Sequence, residues 1–223
     1  MECGGSPLHS SPKKKKKMKS CTNTNNLYED VDFCPGQASL PGVRDHAYMT
    51  RRADIAKWPT IPGNAAESLD KVAVYSGNFT LAADKTFIRF DLVPNESEPT
   101  SEQVGTFGSY HFENKITLVL PGTGAKVTGL ISEINNDDMV ILVPQRDGKI
   151  RVFGNEMFKV DVKPSQAWGK GSSDPNTTTI EVTVEDLYAT PFYPGTFETS
   201  AGTYSGATDA PATQGGNGNP DMP

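Results

Sequence analysis

Ser109-Tyr110-His111-Phe112-Glu113-Asn114-Lys115-Ile116-Thr117-Leu118-Val119-Leu120 alternates in polarity along its length. Tyr110, Phe112, Ile116, Leu118 and Leu120 fall on one side of an extended chain, and His111, Glu113, Lys115 and Thr117 on the other. Successive side chains of a strand point to opposite faces, so the pattern puts one face on a core and leaves the other to water. That is the signature of an antiparallel sheet covered on a single side.

The same period recurs downstream. Phe158, Val160 and Val162 alternate with Lys159, Asp161 and Lys163, and Ile180, Val182 and Val184 alternate with Glu181, Thr183 and Glu185. Met139–Val143 and Lys149–Phe153 flank Arg146-Asp147-Gly148, and Asp-Gly between two apolar runs predicts a hairpin. Upstream, Val72–Phe79 and Thr86–Val93 are rich in β-branched and aromatic residues, with Pro94 closing the second run. One segment breaks the alternation. Val127, Leu130, Ile131 and Ile134 fall at i, i+3, i+4 and i+7, a helical stripe, with Thr123 as its expected N-cap and Asn135-Asn136 at its end. The expected fold is mainly β: an antiparallel sandwich or open barrel with one amphipathic helix covering a side.

Outside this body the sequence changes character. Residues 1–26 are polar and hold a lysine block, and such composition predicts a disordered basic segment. Residues 27–70 carry Phe33, Val43, Tyr48 and Trp58 without a period and are punctuated by Pro35-Gly36, Pro41-Gly42 and Pro62-Gly63. They read as a long extended arm with a short helix at Arg51–Trp58, stopped by Pro59. The β-rich domain is expected over 71–195. Residues 196–223, rich in Gly, Thr and Pro and free of Lys and Arg, read as a flexible acidic tail.

Charge and motifs narrow the function. The net charge is −6, but residues 1–20 hold six lysines against Glu2, a formal +5, so the remainder carries −11. A body that acidic is unsuited to gripping phosphate, which requires an excess of Lys and Arg. The lysine block, without interleaved aromatics, reads as a solvated basic tail, with an arm touching DNA or an acidic neighbour as the sharper alternative. Cys3, Cys21 and Cys34 do not have the spacing of a disulfide framework or a metal site, and reduced thiols are expected. No signal peptide or membrane-spanning run is read from the sequence. His9, His46 and His111 stand apart in sequence, and no Gly-x-Ser-x-Gly elbow occurs. Pro121-Gly122-Thr123-Gly124-Ala125-Lys126 follows a strand and opens a helix, but Ala125 stands where a P-loop needs Gly. No catalytic residue, metal or cofactor is therefore expected, and the chain reads as a structural protein rather than an enzyme.

The serial order of several pieces resembles the tail tube (major tail) proteins of long-tailed bacteriophages. The pieces are Phe87-Ile88-Arg89-Phe90-Asp91-Leu92-Val93-Pro94, then a polar loop, then Phe112–Gly122, then the helix ending at Asn135-Asn136. Asp138–Pro144, Arg146–Asn155 and Thr190-Pro191-Phe192-Tyr193-Pro194-Gly195 complete the series, which spans about half of the chain. The resemblance implies a virion protein, assembled in the host cytoplasm, whose subunits form rings, hexameric by analogy, that stack into a hollow tube. It implies sheets joined between neighbours to line a channel through which DNA passes without specific binding, and tape-measure, terminator and distal-tail proteins as further partners. The strand bearing Glu181, Thr183 and Glu185 is the expected lumen face. Phe33, Tyr48 and Trp58 are the expected inter-ring contacts of the arm.

Two other classes compete. One is a different virion component, such as a head–tail connector, stopper or decoration protein. The other is a carbohydrate-binding sandwich using Trp58, Trp168 or Tyr193 as stacking platforms.

Overall fold

A computed structural model of the chain describes residues 28–32, 35–36 and 40–212. The strands in chain order are β1 (His46–Arg51), β2 (Ile55–Lys57), β3 (Thr80–Leu81), β4 (Ile88–Asp91), β5 (Glu98–Val104), β6 (His111–Pro121) and β7 (Met139–Pro144). Then follow β8 (Ile150–Phe153), β9 (Asp161–Ala167), β10 (Thr177–Asp186), β11 (Phe192–Tyr193), β12 (Thr196–Thr199), β13 (Gly202–Ser205) and β14 (Ala210–Pro211). The amphipathic stripe forms α1 (Ala125–Ile134), between β6 and β7.

Two antiparallel sheets face each other. One has the order β11-β8-β7-β1-β4 and the other β5-β6-β10-β9. Between them lie Ala47, Met49, Phe90, Ile141, Val143 and Phe153 from the first sheet. Ile116, Leu118, Leu120, Ile180, Val182 and Val184 come from the second, so the even-numbered faces of β6 and β10 are buried as their alternation requires. Ile134 of α1 is buried in the same core, with Val127, Leu130 and Ile131 packed at its margin. The fold is thus a mainly β, sandwich-like arrangement with one helix, and its sheets stay open rather than closing into a barrel.

The five-stranded sheet is buried on its other face as well. Tyr48, Val140, Leu142, Ile150 and Val152 turn away from the sandwich and meet Ile55, Tyr75, Phe79, Phe87, Tyr193 and Phe197. This second core is largely aromatic, with Tyr48 and Phe197 rings edge-on at 4.9 Å and Phe87 and Phe197 at 5.6 Å. Covered on both sides, β7 is buried at all six positions, which is why Met139-Val140-Ile141-Leu142-Val143-Pro144 is an unbroken apolar run.

Several expectations are corrected. The arm of 27–70 is not an arm from His46 onward, because β1 pairs with β4 on one side and β7 on the other. The helix at Arg51–Trp58 is replaced by the end of β1, a 3-10 turn at Arg52–Asp54 and β2. Two-sided strand pairing prevails over a stripe of only Ile55 and Trp58. Val72–Phe79 is not a strand. It follows a 3-10 turn at Leu69–Lys71 and is held by isolated bridges at Val74 and Ser76, with Tyr75 and Phe79 buried in the second core. The polar loop after Val93 contains the seven-residue strand β5. Residues 196–211 form the sheet β12-β13-β14, with Phe197 buried, so the domain runs past 195. Residue Thr123 does not cap α1: Gly124 holds the N-cap position, and the Thr123 carbonyl accepts a hydrogen bond from Thr128 Oγ1 at 3.2 Å.

The Asp-Gly hairpin forms between β7 and β8, with the Gly148 N–H donating to the Gln145 carbonyl at 2.9 Å. Gly148 has φ +92°, and a Cβ there would stand 2.7 Å from the Thr208 carbonyl oxygen. The turn therefore needs glycine both for its conformation and for the approach of the C-terminal strands. The C-terminal sheet is structural, and Phe197→Ala is expected to cost about 3–5 kcal/mol. The check is the urea unfolding midpoint, which should fall with an unchanged m-value.

Candidate self-assembly surface

The four-stranded sheet is covered on one face only. Directly opposed residues of an antiparallel pair share a face, so the register defines rows across the outer side. One row reads Glu98, Thr117, Glu181 and Lys163, and the next reads Thr100, Lys115, Thr183 and Asp161. A third reads Glu102, Glu113 and Glu185, with Val104 and His111 beyond it. Across this face Glu98, Glu102, Glu113, Asp161, Glu181 and Glu185 stand against Lys115 and Lys163, a formal charge of −4 with His111 neutral.

Local pairing softens but does not cancel this charge. A hydrogen bond to Glu113 holds the Lys115 ammonium above the usual lysine range, and one to Asp161, at 2.8 Å, does the same for Lys163. His111 Nε2 lies 3.9 Å from Glu185. The row Glu102, Glu113, Glu185 has no cation in it, and like charges directly opposed destabilise a sheet. A solvent face tolerates such a row, but nothing in the sandwich requires it.

Both edges of this sheet are free of strand partners among the described residues. β5 forms one edge and is exposed over six of its seven positions, and β9 forms the other. Each edge holds one proline, Pro99 or Pro164, which removes one backbone donor per edge and restricts the pairing registers. The remaining N–H and C=O groups form two unpaired templates.

Glu181, Thr183 and Glu185 all lie on this outer face, with both glutamates exposed. Tyr48 and Trp58 are placed otherwise than as arm contacts. Tyr48 is buried in the second core and Trp58 stacks edge-on against Phe79 at 5.5 Å. Phe33 falls outside the described residues, as do the lysine block and the three cysteines. Of the proposed stacking platforms, Tyr193 is fully buried with its hydroxyl donating to the Thr196 carbonyl at 2.6 Å, whereas Trp168 is exposed.

His46 is not isolated in space. Asp209, at positive φ on the C-terminal turn, has a fully buried carboxylate that receives Arg44 Nη1 at 2.8 Å and the Tyr48 hydroxyl at 2.9 Å. Its Oδ2 also lies 2.8 Å from His46 Nε2, while His46 Nδ1 lies 3.0 Å from Asp45. The Asp209 bond, aided by that to Asp45, raises His46 above the ordinary imidazole range against its burial and the charge of Arg89. Burial pushes Asp209 up, but the bonds from His46, Tyr48 and Arg44 outweigh it and leave the carboxyl below the usual range. With both ring nitrogens engaged by carboxylates, His46 has no free lone pair for base chemistry. The cluster is a clamp joining β1 to the turn before β14.

A second buried polar group went unread in the sequence. Asn114 shares the inward parity of Phe112 and Ile116, and that parity was the available signal. Its amide donates to the Tyr188 carbonyl at 3.0 Å, and its Oδ1 accepts the Thr190 N–H at 3.1 Å. Among the described residues no three His, Cys, Asp or Glu side chains are grouped to hold a metal, and no helix is long and apolar enough to cross a membrane. The chain matches no family model, no curated protein and no solved structure.

The clamp makes stability depend on pH with a definite sign. His46, raised above 6.5, contributes fully below pH 6.5 and loses its contribution as pH rises through its folded value. Asp209, held below 3.8, contributes above pH 3.8 and loses its contribution as pH falls through its folded value. Urea midpoints of the wild type should therefore decline as pH is raised from 6.5, a decline absent in His46→Gln. Asp209→Asn should cost roughly 1–3 kcal/mol at neutral pH. Relief of the acidic row gives the opposite sign. Glu185→Gln is expected to stabilise the chain by about 0.2–1 kcal/mol at low salt, measured by the same denaturation.

Proposed function

We propose that this chain is a structural subunit that assembles edge to edge into rings, and that the rings stack into the tube of a long-tailed bacteriophage. The observation that carries the reading is the four-stranded antiparallel sheet with two free edges. Its strand count is even, so β5 and β9 run in opposite directions. Copies related by rotation about a common axis keep their strand directions. The β9 edge of one copy then meets the β5 edge of the next in the antiparallel sense, and the ring leaves no edge exposed.

The acidic face supports the same reading. The apolar face is covered by the five-stranded sheet of the same chain, so only the polar face is free to line a channel. A channel lined by net-negative rows repels phosphate and lets DNA slide, where Lys and Arg would retain it through counterion release. In this setting the row Glu102, Glu113, Glu185, relieved only from the side by Lys115 and His111, has a purpose that folding alone does not supply. The serial resemblance to tail tube proteins supplies the stacking, the six-fold ring and the tape-measure, terminator and distal-tail partners of the proposal.

Negative-stain microscopy of the purified protein is the direct test. Stacked rings or tubes are expected, single rings would point to a connector or stopper instead, and a monomer at high concentration would refute assembly. Lys163→Glu replaces the cation of the β9 edge, which in the proposed ring meets the β5 edge of the next copy with its Glu98 and Glu102. It should weaken assembly while leaving the circular dichroism spectrum of the dilute protein unchanged. Glu181→Lys with Glu185→Lys should preserve tubes but impair DNA ejection from the particle. Normal ejection would remove the lumen assignment.

A further inference from the structure

The chain has six arginines, at 44, 51, 52, 89, 146 and 151. Four are matched to carboxylates: Arg44 to Asp209, Arg51 to Glu133 and Asp137, Arg52 to Asp138, and Arg89 to Asp91. Arg146 and Arg151 form no ion pair among the described residues; Arg151 lines a pocket, and Arg146 stands beside Gly42 at its rim.

That pocket holds about 310 Å³ and lies beneath the edge strand β5, whose Pro99, Thr100 and Ser101 form one wall. Val43, Val143, Phe153 and Ala189 make much of the remainder apolar, and no acid lines it. Arg151 is half-buried in its wall. It donates from Nη1 to the Thr190 carbonyl at 2.8 Å and stacks on the Phe192 ring with its guanidinium carbon 3.8 Å from the centroid. Burial lowers its pKa, and the charge of Asp147 offsets this only in part. Arg146 flanks the rim, where its backbone N–H donates to the Gly42 carbonyl at 3.3 Å and its side chain to Asn95 Oδ1. In an acidic chain, two arginines outside any ion pair, one lining an acid-free pocket and one at its rim, depart from the pairing of the other four. A planar guanidinium fork held by stacking matches a carboxylate, and the apolar wall suits a carboxylate carried next to an apolar side chain.

Such a segment exists in this sequence. Tyr28-Glu29-Asp30-Val31-Asp32 places three carboxylates around Val31, and its residues are exposed, Tyr28 at 93% and Val31 at 85%. We infer that the Arg146–Arg151 pocket is a carboxylate-recognition site, and that it receives the Tyr28–Asp32 segment of a second copy. The source of the segment rests on the assembly reading, since the β5 edge above the pocket is where that reading seats the neighbour. The carboxylate chemistry of the pocket does not rest on it.

The test uses the full chain carrying Glu29→Gln, Asp30→Asn and Asp32→Asn, so that its own segment does not compete. A fluorescent peptide of the Tyr28–Asp32 sequence is titrated into it and followed by anisotropy. Saturable binding is expected, weakened at least about tenfold by Arg151→Lys, by Arg146→Met, or by a peptide with Gln and Asn in place of its acids. Arg146 is exposed, so its variant tests the site without risk to the fold. Binding indifferent to these changes, no binding, or displacement by inorganic phosphate at lower concentration than by the peptide would overturn the proposal. Sedimentation then assigns the source. The triple-neutral chain should need about tenfold more protein to assemble than the wild type. Unchanged assembly despite peptide binding would mean docking within one chain and overturn the second-copy assignment. A wild type that never assembles while its pocket binds the peptide would sink the tube reading and leave the carboxylate site standing.

Discussion

The structure depends on burial of the five-stranded sheet from both sides. β7 sits at its centre, and Met139 to Val143 alternate between two cores: Met139, Ile141 and Val143 face the sandwich, and Val140 and Leu142 face the aromatic layer. A sheet placed this way needs two covers. The four-stranded sheet is the first, while Ile55 to Phe87 and the C-terminal strands make the second. Removing either would leave large apolar side chains in water, each worth about 1.5–3 kcal/mol of transfer free energy. The dispersed Pro- and Gly-rich segments at the two ends of the domain are therefore parts of its core.

The four-stranded sheet is left with the complementary role. It covers the first core with one face, and among the described residues no further element lies on the other. A polar face and two free edges follow. Most sheets with such edges blunt them with charge or proline, and each edge here has a single proline in a seven-residue strand. Each edge also carries two charged side chains, Glu98 and Glu102 on β5 and Asp161 and Lys163 on β9, and the face as a whole is acidic, with three carboxylates in one row. Local features that work against the stability of the isolated fold mark sites kept for another purpose, and edge-to-edge assembly around an acidic channel is the purpose proposed.

Long-range polar contacts hold the covers in place. Asp209 draws Arg44, His46 and Tyr48 together across more than 160 residues, and Asn114 fastens the turn at Tyr188–Thr190 to β6. The same economy of pairing leaves Arg146 and Arg151 apart: every other arginine is spent on an ion pair within the chain.

The sequence by itself determined what period and turn chemistry encode. The half-buried strands β6 and β10, the Asp-Gly hairpin, the helical stripe of α1 and the outward placing of Glu181, Thr183 and Glu185 were all legible, because a strand with one wet face writes its orientation into alternate residues. Tertiary structure alone decided the rest. His46-Ala47-Tyr48-Met49-Thr50-Arg51 has apolar residues on both sides and so no alternation, which hid a central strand within an apparent arm. Phe197 and Tyr204 are single aromatics in short Gly- and Thr-rich strands, too few to show a period, and they are structured by the layer they cover. The meeting of Asp209 with His46, and of Arg151 with the edge strand β5, is a product of strand order. Contacts between residues far apart in the chain leave no periodic trace in it.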